Sequence, residues 1–166
     1  MRKSSMLWFW GILLFQLTGC FKDEPGKVMT RAAGPWTIEK VVQEAYDSLG
    51  NSVSTREWTD LGTLFLYHED DFLYIDAFSL QYTPALQSEV SSYFQQVLFH
   101  SNRWWMSADG SQFGFGSYDS STGFTSTEGL FTLDKLNNRK MQIVNVELFA
   151  SGRVRLIEHW YFKRKK

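Results

Sequence analysis

Cysteine is nearly absent from this chain of 166 residues, which contains only Cys20. A single cysteine cannot form an internal disulfide, and a catalytic cysteine requires a histidine and an orienting group close to it in the fold. The chain also lacks the Gly-x-Ser-x-Gly, His-Glu-x-x-His and glycine-rich phosphate-loop motifs. We therefore predict a protein that is not an enzyme and that uses no cofactor.

The chain also lacks a large excess of charge of either sign. It contains 17 Lys and Arg residues and 18 Asp and Glu residues, for a formal net charge of −1. This balance offers no electrostatic footprint for nucleic acid, so we expect no nucleic-acid partner. The three histidines, His68, His100 and His159, stand singly, without the close pairings of zinc sites. The acidic run that follows His68 is interpreted as a charged hairpin tip, and no metal site is predicted.

Only one long hydrophobic run occurs, and it lies near the amino terminus. Residues 6–17 (MLWFWGILLFQL) are almost all apolar and follow the cations Arg2 and Lys3. The run is shorter than the roughly 20 residues that span a bilayer, but it has the length of a secretory signal peptide's apolar region. Leu17-Thr18-Gly19-Cys20 resembles the lipobox of bacterial lipoprotein signal peptides. The resemblance implies a signal peptide over 1–19, cleavage after Gly19, and fatty-acyl chains such as palmitate on Cys20, which would anchor the protein stably in a membrane.

The residues after Cys20 bear on localisation. Phe21 stands where an aspartate tends to mark retention in the inner membrane of diderm bacteria, and Lys22-Asp23-Glu24 resembles a lysine-plus-two-acids signal for export to the cell surface. This implies a lipoprotein of the bacterial outer membrane, exposed at the cell surface; the alternative is a solvated tether on a periplasm-facing protein. We predict a lipidated cysteine and flexible tether over 20–33, and one domain over 34–166.

The rest of the chain consists mainly of short alternating segments rich in aromatic and β-branched residues, separated by turn residues. Eight strands joined by hairpins favour an antiparallel sheet that closes on itself, because closure removes the exposed edges. The predicted strands lie at 36–43, 61–68, 72–80, 103–108, 111–118, 129–135, 140–149 and 153–163.

One segment, Pro84 to Phe99, departs from the strand pattern. Its apolar residues recur at helical spacing, with Thr83 as the N-cap and Pro84 at the first helical position. We predict a short helix over about 84–99 that covers an edge or an opening, with a strand over YFQQVLF as the alternative.

The start of the first strand carries a family resemblance. Arg31-Ala32-Ala33-Gly34-Pro35-Trp36 resembles the lipocalin signature, in which the tryptophan plugs the closed end of an eight-stranded up-and-down barrel. With the lipobox and the final WYFKR, the chain is similar to small lipocalin-like (calycin) lipoproteins of diderm bacteria. The resemblance implies that Gly34 and Trp36 form a barrel-closing motif, with Lys163 or Arg164 as the cation that packs on Trp36. The Thr-Asp-x-x-Tyr motif of classical lipocalins is not evident.

Closure of the barrel would bring the first and last strands together. Pairing Trp36 with Phe162 sets Ile38 against Trp160 and Lys40 against Glu158, so that the two charges on apolar faces would meet. The pair is either a polar anchor in a ligand cavity or a structural ion pair; the remaining alternative is a bulge that turns one of the two side chains out to water. Further pocket candidates are Trp160 and the rings Phe113 and Phe115, which share a face while Gly114 and Gly116 leave the other face bare; such glycines suggest a bend or the close approach of another group.

These features favour two functions over a hydrolase, for which the sequence shows no site. The first is a membrane-anchored lipocalin-like protein that binds a small apolar or amphipathic molecule without catalysis. The alternative is a structural or protein-interaction module of the cell envelope whose barrel is filled with side chains. The state of the interior separates them, because an open cavity favours a ligand and a packed one favours interaction.

Overall fold

A computed structural model describes residues 25–68, 76–107, 109–119, 121–122 and 124–166. Each of its eight strands pairs antiparallel with the next one, and the first pairs with the last, which closes a barrel-like ring. The predicted all-β, eight-stranded up-and-down architecture is confirmed. The strands are β1 (Gly34–Tyr46), β2 (Ser52–Leu66), β3 (Asp76–Tyr82), β4 (Arg103–Met106), β5 (Gln112–Asp119), β6 (Phe124–Leu136), β7 (Lys140–Leu148) and β8 (Val154–Arg164).

In the described part of the chain, three short helices lie at the two ends of this ring. Helix α1 (Pro25–Ala32) precedes β1, whereas α2 (Pro84–Ser88) and α3 (Tyr93–His100) lie between β3 and β4. The up-and-down order places α1, the β6–β7 turn and the carboxyl terminus at one end, which we call the α1 end. The opposite end, which we call the mouth, carries α2, α3 and the β1–β2 and β7–β8 hairpins.

Large side chains pack against one another in the interior of the ring. Phe94 of α3 is fully buried, and its ring centroid lies 4.4 Å from that of Phe131, 4.7 Å from Trp160 and 5.6 Å from Phe115. Helix α3 therefore inserts an aromatic ring among the strands rather than merely covering them. The largest fully buried side chains include Trp36, Trp104, Trp160, Phe94, Phe113, Phe115, Phe131, Phe162, Met29, Ile38, Leu61 and Leu64.

The segment predicted as a flexible tether is in part a packed helix. Met29 and Ala32 of α1 have no exposed surface, and Val28 is 9% exposed, so one face of the helix belongs to the core. The prediction of a flexible coil up to residue 33 is therefore wrong over Pro25–Ala32. Proline and glycine, here Pro25 and Gly26, are common in loops, but proline is also favoured at the start of a helix.

The predicted helix over 84–99 is two helices with a break at residues 89–92. Pro84 occupies the first turn of α2, as expected, although the Thr83 side chain makes no capping hydrogen bond. Ser92 begins α3 instead, because its hydroxyl oxygen accepts a hydrogen bond from the Gln95 backbone N–H at 3.0 Å. Serine competes with a continuous helix in this way, which explains both the break and the helical state of YFQQVLF.

Strand β2 begins at Ser52, nine residues before its predicted start. Residues 52–57 are exposed, and β3 pairs only with Gly62–Leu66 of β2. The first part of β2 therefore pairs with β1 alone, and its exposed residues provide no buried face to impose alternation on the sequence. Strand prediction from hydrophobic alternation fails at such a segment.

Candidate functional site

The pairing of β1 with β8 sets the chemistry of the interior, and it differs from the predicted register. Trp36 lies opposite Arg164, Ile38 opposite Phe162, and Gln43 opposite Glu158, with a register shift between Ile38 and Lys40. The extra residue lies on β1, because Ile38 and Lys40 are two residues apart whereas their partners Phe162 and Tyr161 are adjacent. Because side chains alternate between faces, one extra residue reverses which of the following residues face inward.

Lys40 consequently lies on the outer wall. Its Nζ is 3.3 Å from a Glu57 carboxylate oxygen and 5.0 Å from the centroid of the Tyr161 ring, and its side chain is 36% exposed. Glu158 has no exposed surface. The predicted Lys40–Glu158 pair is therefore wrong, and with it the role of Lys40 as a ligand-pocket residue.

Glu158 instead forms an interior polar cluster with two side-chain amides. Gln43 Nε2 donates to Glu158 Oε1 at 2.6 Å, and Asn145 Nδ2 donates to Oε2 at 2.9 Å. Gln43 Nε2 also lies 3.2 Å from the Ser91 carbonyl oxygen in the linker between α2 and α3. Strands β1, β7 and β8 and the helical segment over the mouth thus converge on one carboxylate.

The environment of this carboxylate favours its protonated form. Burial raises the pKa of Glu158, and the nearby carboxylate of Glu147 raises it further, against the lowering effect of hydrogen bonds from Asn145, Gln43 and Ser92. These three hydrogen-bond partners are all neutral. The cluster therefore contains a desolvated acid whose negative charge is solvated by amides and a hydroxyl rather than by a cation.

The aromatic residues that were predicted to line a pocket lie in the interior, where they pack against one another. Phe113 stacks on Trp104 with centroids 5.2 Å apart and planes 12° apart, and it lies 5.1 Å from Phe115. Phe115 also meets Phe78 edge to face at 5.2 Å. Trp160 packs on Phe94, and its indole Nε1 is buried without a hydrogen-bond partner in the described part of the chain.

Close contacts on the outer face of the sheet explain the two glycines of β5, Gly114 and Gly116. Trp105 pairs with Gly114, and a Cβ atom built on Gly114 would lie 2.2 Å from the Trp105 ring. A Cβ on Gly116 would lie 1.8 Å from the Ser126 carbonyl oxygen, next to the register shift in the β5–β6 pairing. The close approach suggested by the sequence is therefore that of the Trp105 indole and of the β6 backbone.

The motif at the start of β1 closes the α1 end. Trp36 is fully buried and donates its indole N–H to the Ala32 carbonyl oxygen at 2.6 Å. Of the two cations considered, Arg164 packs on it, with the guanidinium carbon 4.2 Å from the ring centroid, and donates to the Ala33 and Arg31 carbonyl oxygens. Gly34 has φ +115°, and a Cβ there would lie 2.6 Å from Arg164 Nη1, so this packing requires glycine.

The predicted anchor and export residues Cys20, Lys22, Asp23 and Glu24 lie outside the described residues and stay predictions. None of the helices that the structure describes is long and apolar enough to cross a membrane. Within the same residues, no group of three or more His, Cys, Asp or Glu side chains could hold a metal ion. His68 Nδ1 lies 2.6 Å from an Asp76 carboxylate oxygen, joining the end of β2 to the start of β3.

Three members of the polar cluster, Gln43, Asn145 and Ser92, were missed by sequence reasoning. Asn145 had a usable signal, because it follows Met141 and Ile143 at alternate positions of β7 and is therefore a polar residue on the inward face. Gln43 had no such signal, because the β1 irregularity reverses its apparent face. The contact of Ser92 depends on how the helical segment folds over the mouth.

Comparison with known proteins returns no matching family model, no matching curated protein and no matching solved structure.

Proposed function

We propose that this protein is a lipid-anchored, non-enzymatic lipoprotein of the bacterial outer membrane, and that its lipocalin-like barrel serves as an interaction module of the cell envelope. The aromatic packing inside the barrel carries this choice, because Phe94 lies against Phe115, Phe131 and Trp160 in the interior, where a carrier would hold its ligand. The lipobox-like Leu17-Thr18-Gly19-Cys20 supports the anchor.

The rim of the mouth supplies a surface for such an interaction. Leu49, Val53 and Leu148 are 75%, 61% and 56% exposed, respectively, in or beside the β1–β2 and β7–β8 hairpins. Arg153 of the second hairpin donates to the Ser48 carbonyl oxygen of the first at 2.8 Å, which holds the two hairpins together. Apolar side chains grouped in this way on a surface are typical of contact sites for other proteins.

The anchor is tested by replacing Cys20 with serine in cells of a diderm host. We expect the natural chain to incorporate labelled palmitate and to fractionate with the outer membrane, and the Cys20→Ser chain to do neither. Protease treatment of intact cells then reports the exposed face, because only a surface-displayed protein is cleaved. Palmitate incorporation that persists in the Cys20→Ser chain would contradict the proposed attachment site.

The interaction surface is tested by site-specific photocrosslinking in the same cells. A crosslinker at Leu49 or at Leu148 should give the same adduct mass, and one at Asp134, an exposed residue of β6 near the α1 end, should not. The Leu49→Ser, Leu148→Ser double variant should lose the adduct detected from Val53. No specific adduct from either rim position would argue against an interaction module.

Binding of a small amphipathic molecule is the second candidate, and the Glu158 cluster favours it. A buried carboxylate with neutral partners costs free energy, and polar groups of this kind fix the orientation of ligands in otherwise apolar sites. Because Ser91 and Ser92 belong to the linker between α2 and α3, such a ligand would have to enter by displacing this helical segment and Phe94.

Native mass spectrometry of the protein from its own host separates the two functions. A carrier should retain a molecule of defined mass, with higher occupancy in a Phe94→Ala chain, because loss of the ring opens space beside Trp160. An interaction module should show the protein mass alone, and Phe94→Ala should only destabilise it, by about 3 to 5 kcal/mol.

A further inference from the structure

Five exposed cations from two distant parts of the chain meet at the α1 end. Lys140 pairs with Lys163 across β7 and β8, and the Arg164 backbone N–H donates to the Arg139 carbonyl oxygen at 2.9 Å. The pairing brings the β6–β7 turn beside the carboxyl terminus. We call this group the basic rim; its exposed members are Arg139, Lys140, Lys163, Lys165 and Lys166.

In the described part of the chain, Glu39 pairs with the basic rim, but only weakly. The nearest Glu39 carboxylate oxygen lies 4.0 Å from Lys163 Nζ, and both side chains are about half exposed or more, at 48% and 64%. An exposed pair at this distance is screened by solvent, so Glu39 offsets the charge of the basic rim only weakly. A surface of this sign fits an anionic partner, whereas the chain as a whole is slightly acidic.

The amino-terminal segment enters the fold at the same end. The Lys165 N–H donates to the Pro35 carbonyl oxygen at 3.0 Å, and Arg164 holds the carbonyl groups of Arg31 and Ala33 at the end of α1. Helix α1 begins only five residues after Cys20. Because one residue spans at most about 3.6 Å, the start of α1 stays within about 18 Å of a lipid-anchored Cys20.

We infer that the basic rim lies against anionic lipid headgroups and thereby orients the anchored protein with its mouth directed away from the bilayer. This inference rests on the proposed lipid anchor, which holds the α1 end within reach of the surface. The basic rim supplies the orientation, because attachment at a single point alone leaves the barrel free to tilt. A cation near an anionic leaflet strengthens association about fivefold, so several cations together select one orientation.

Lysine accessibility in the full-length lipidated protein tests this orientation. The protein is reconstituted in nanodiscs of phosphatidylcholine alone or with 30% phosphatidylglycerol, and amine acylation is read by mass spectrometry. Labelling of Lys140, Lys163, Lys165 and Lys166 should fall several-fold with the anionic lipid, whereas Lys40 on the side wall should be labelled equally in both. Equal labelling of the rim lysines in the two lipids would overturn the inference.

A pair of matched charge variants adds a second readout. Lys163→Glu, Lys165→Glu and Lys166→Glu together should abolish the lipid-dependent protection of Lys140. The control Lys40→Glu, Arg56→Glu and Arg155→Glu makes the same change in net charge away from the rim and should retain the protection. If both triple variants lose the protection, net charge and not the basic rim is responsible; if both retain it, the rim lysines are not needed; either result overturns the inference. Intact mass reports acylation separately, so a protein without acyl chains contradicts the proposed anchor and not the orientation.

Discussion

Glu158 is the residue whose environment departs most from the rest of the interior. Its carboxylate has no exposed surface, and its hydrogen-bond partners Gln43, Asn145 and Ser92 are neutral. Two of these partners donate through amide groups, which stabilise the charge but do not replace the water that burial removes. The direction of the pKa shift makes the stability of the fold depend on pH.

The Glu158→Gln variant should remove this dependence. Burial raises the pKa of Glu158 in the folded state above its ordinary value of 4.5, so the folded protein binds this proton more tightly than the unfolded chain. The associated stability is present below pH 4.5 and is lost as the pH rises through the folded-state pKa. Relative to Glu158→Gln, the natural protein should therefore become less stable with rising pH in urea unfolding between pH 4 and 8.

The surface variant Glu57→Gln serves as a control for that experiment. It also removes one carboxyl group, but from a side chain that is 51% exposed on the outer wall. Its unfolding free energy should follow that of the natural protein across the pH range. Parallel curves for Glu158→Gln and the natural protein would contradict the raised pKa.

Arg164 closes the α1 end by a geometry that lysine cannot reproduce. The planar guanidinium lies over Trp36 and donates to two carbonyl oxygens at once. Arg164→Lys should lower the free energy of unfolding by roughly 1.5 to 3 kcal/mol, because one carbonyl loses a charged donor. Chemical denaturation measures this loss; the reverse change at its neighbour, Lys163→Arg, should stay within about 0.5 kcal/mol. Equal denaturation midpoints for Arg164→Lys and Lys163→Arg would contradict the role of Arg164 in closing the α1 end.

Between neighbouring elements, the packing of β4 on β5 depends on a bare backbone under Trp105. Gly114→Ala should lower the free energy of unfolding by about 1 to 3 kcal/mol. The added methyl group would displace the Trp105 indole, which lies 2.2 Å from the place of the new Cβ atom. A double-mutant cycle with Trp105→Ala measures the origin of the loss. In the Trp105→Ala background, Gly114→Ala should lower the free energy of unfolding only slightly. An undiminished loss in that background would mean that the indole is not the cause.

At the level of elements, the sequence predicted the number, order and pairing of the strands better than their lengths. Alternation is imposed only where one face is buried, so the core of each strand was found but the exposed part of β2, from Ser52 onward, was not. The two-helix form of the segment over the mouth depended on Ser92 as a cap. A serine within a helical pattern predicts such a break only when its hydroxyl is known to bond the backbone.

The candidate site was harder to predict, since it depends on one local irregularity. The sequence identified Glu158 and Trp160 as inward residues, and the structure places both inside. The partner of Glu158 was wrong because the register shift between Ile38 and Lys40 turns Gln43 inward and Lys40 outward. Such a shift leaves no mark in hydrophobic periodicity, because Val41 and Val42 are both apolar and fit either face.

For the whole molecule, the two ends of the barrel differ in polarity. The α1 end combines the packed helix, the Trp36–Arg164 closure and the basic rim, whereas the mouth carries the exposed apolar hairpins and the cover over Glu158. With the proposed lipid on Cys20, this difference gives the protein a membrane side and a partner side. The arrangement requires that α1 be part of the folded body, since a loose helix would not hold the basic rim near the bilayer.

Met29→Ala tests whether α1 and the ring form one cooperative unit. Because Met29 has no exposed surface and Ala32 receives the Trp36 indole hydrogen bond, α1 should unfold together with the strands and not separately. The substitution should lower the global free energy of unfolding by about 2 to 5 kcal/mol, with tryptophan fluorescence and circular dichroism giving the same transition. Leu49→Ala, which truncates a leucine that is 75% exposed, should change it by less than about 0.5 kcal/mol. If Met29→Ala behaves like Leu49→Ala, and amide exchange in α1 is fast while the strands stay protected, the helix is a tether after all, and the membrane side of the molecule loses its rigid connection to the barrel.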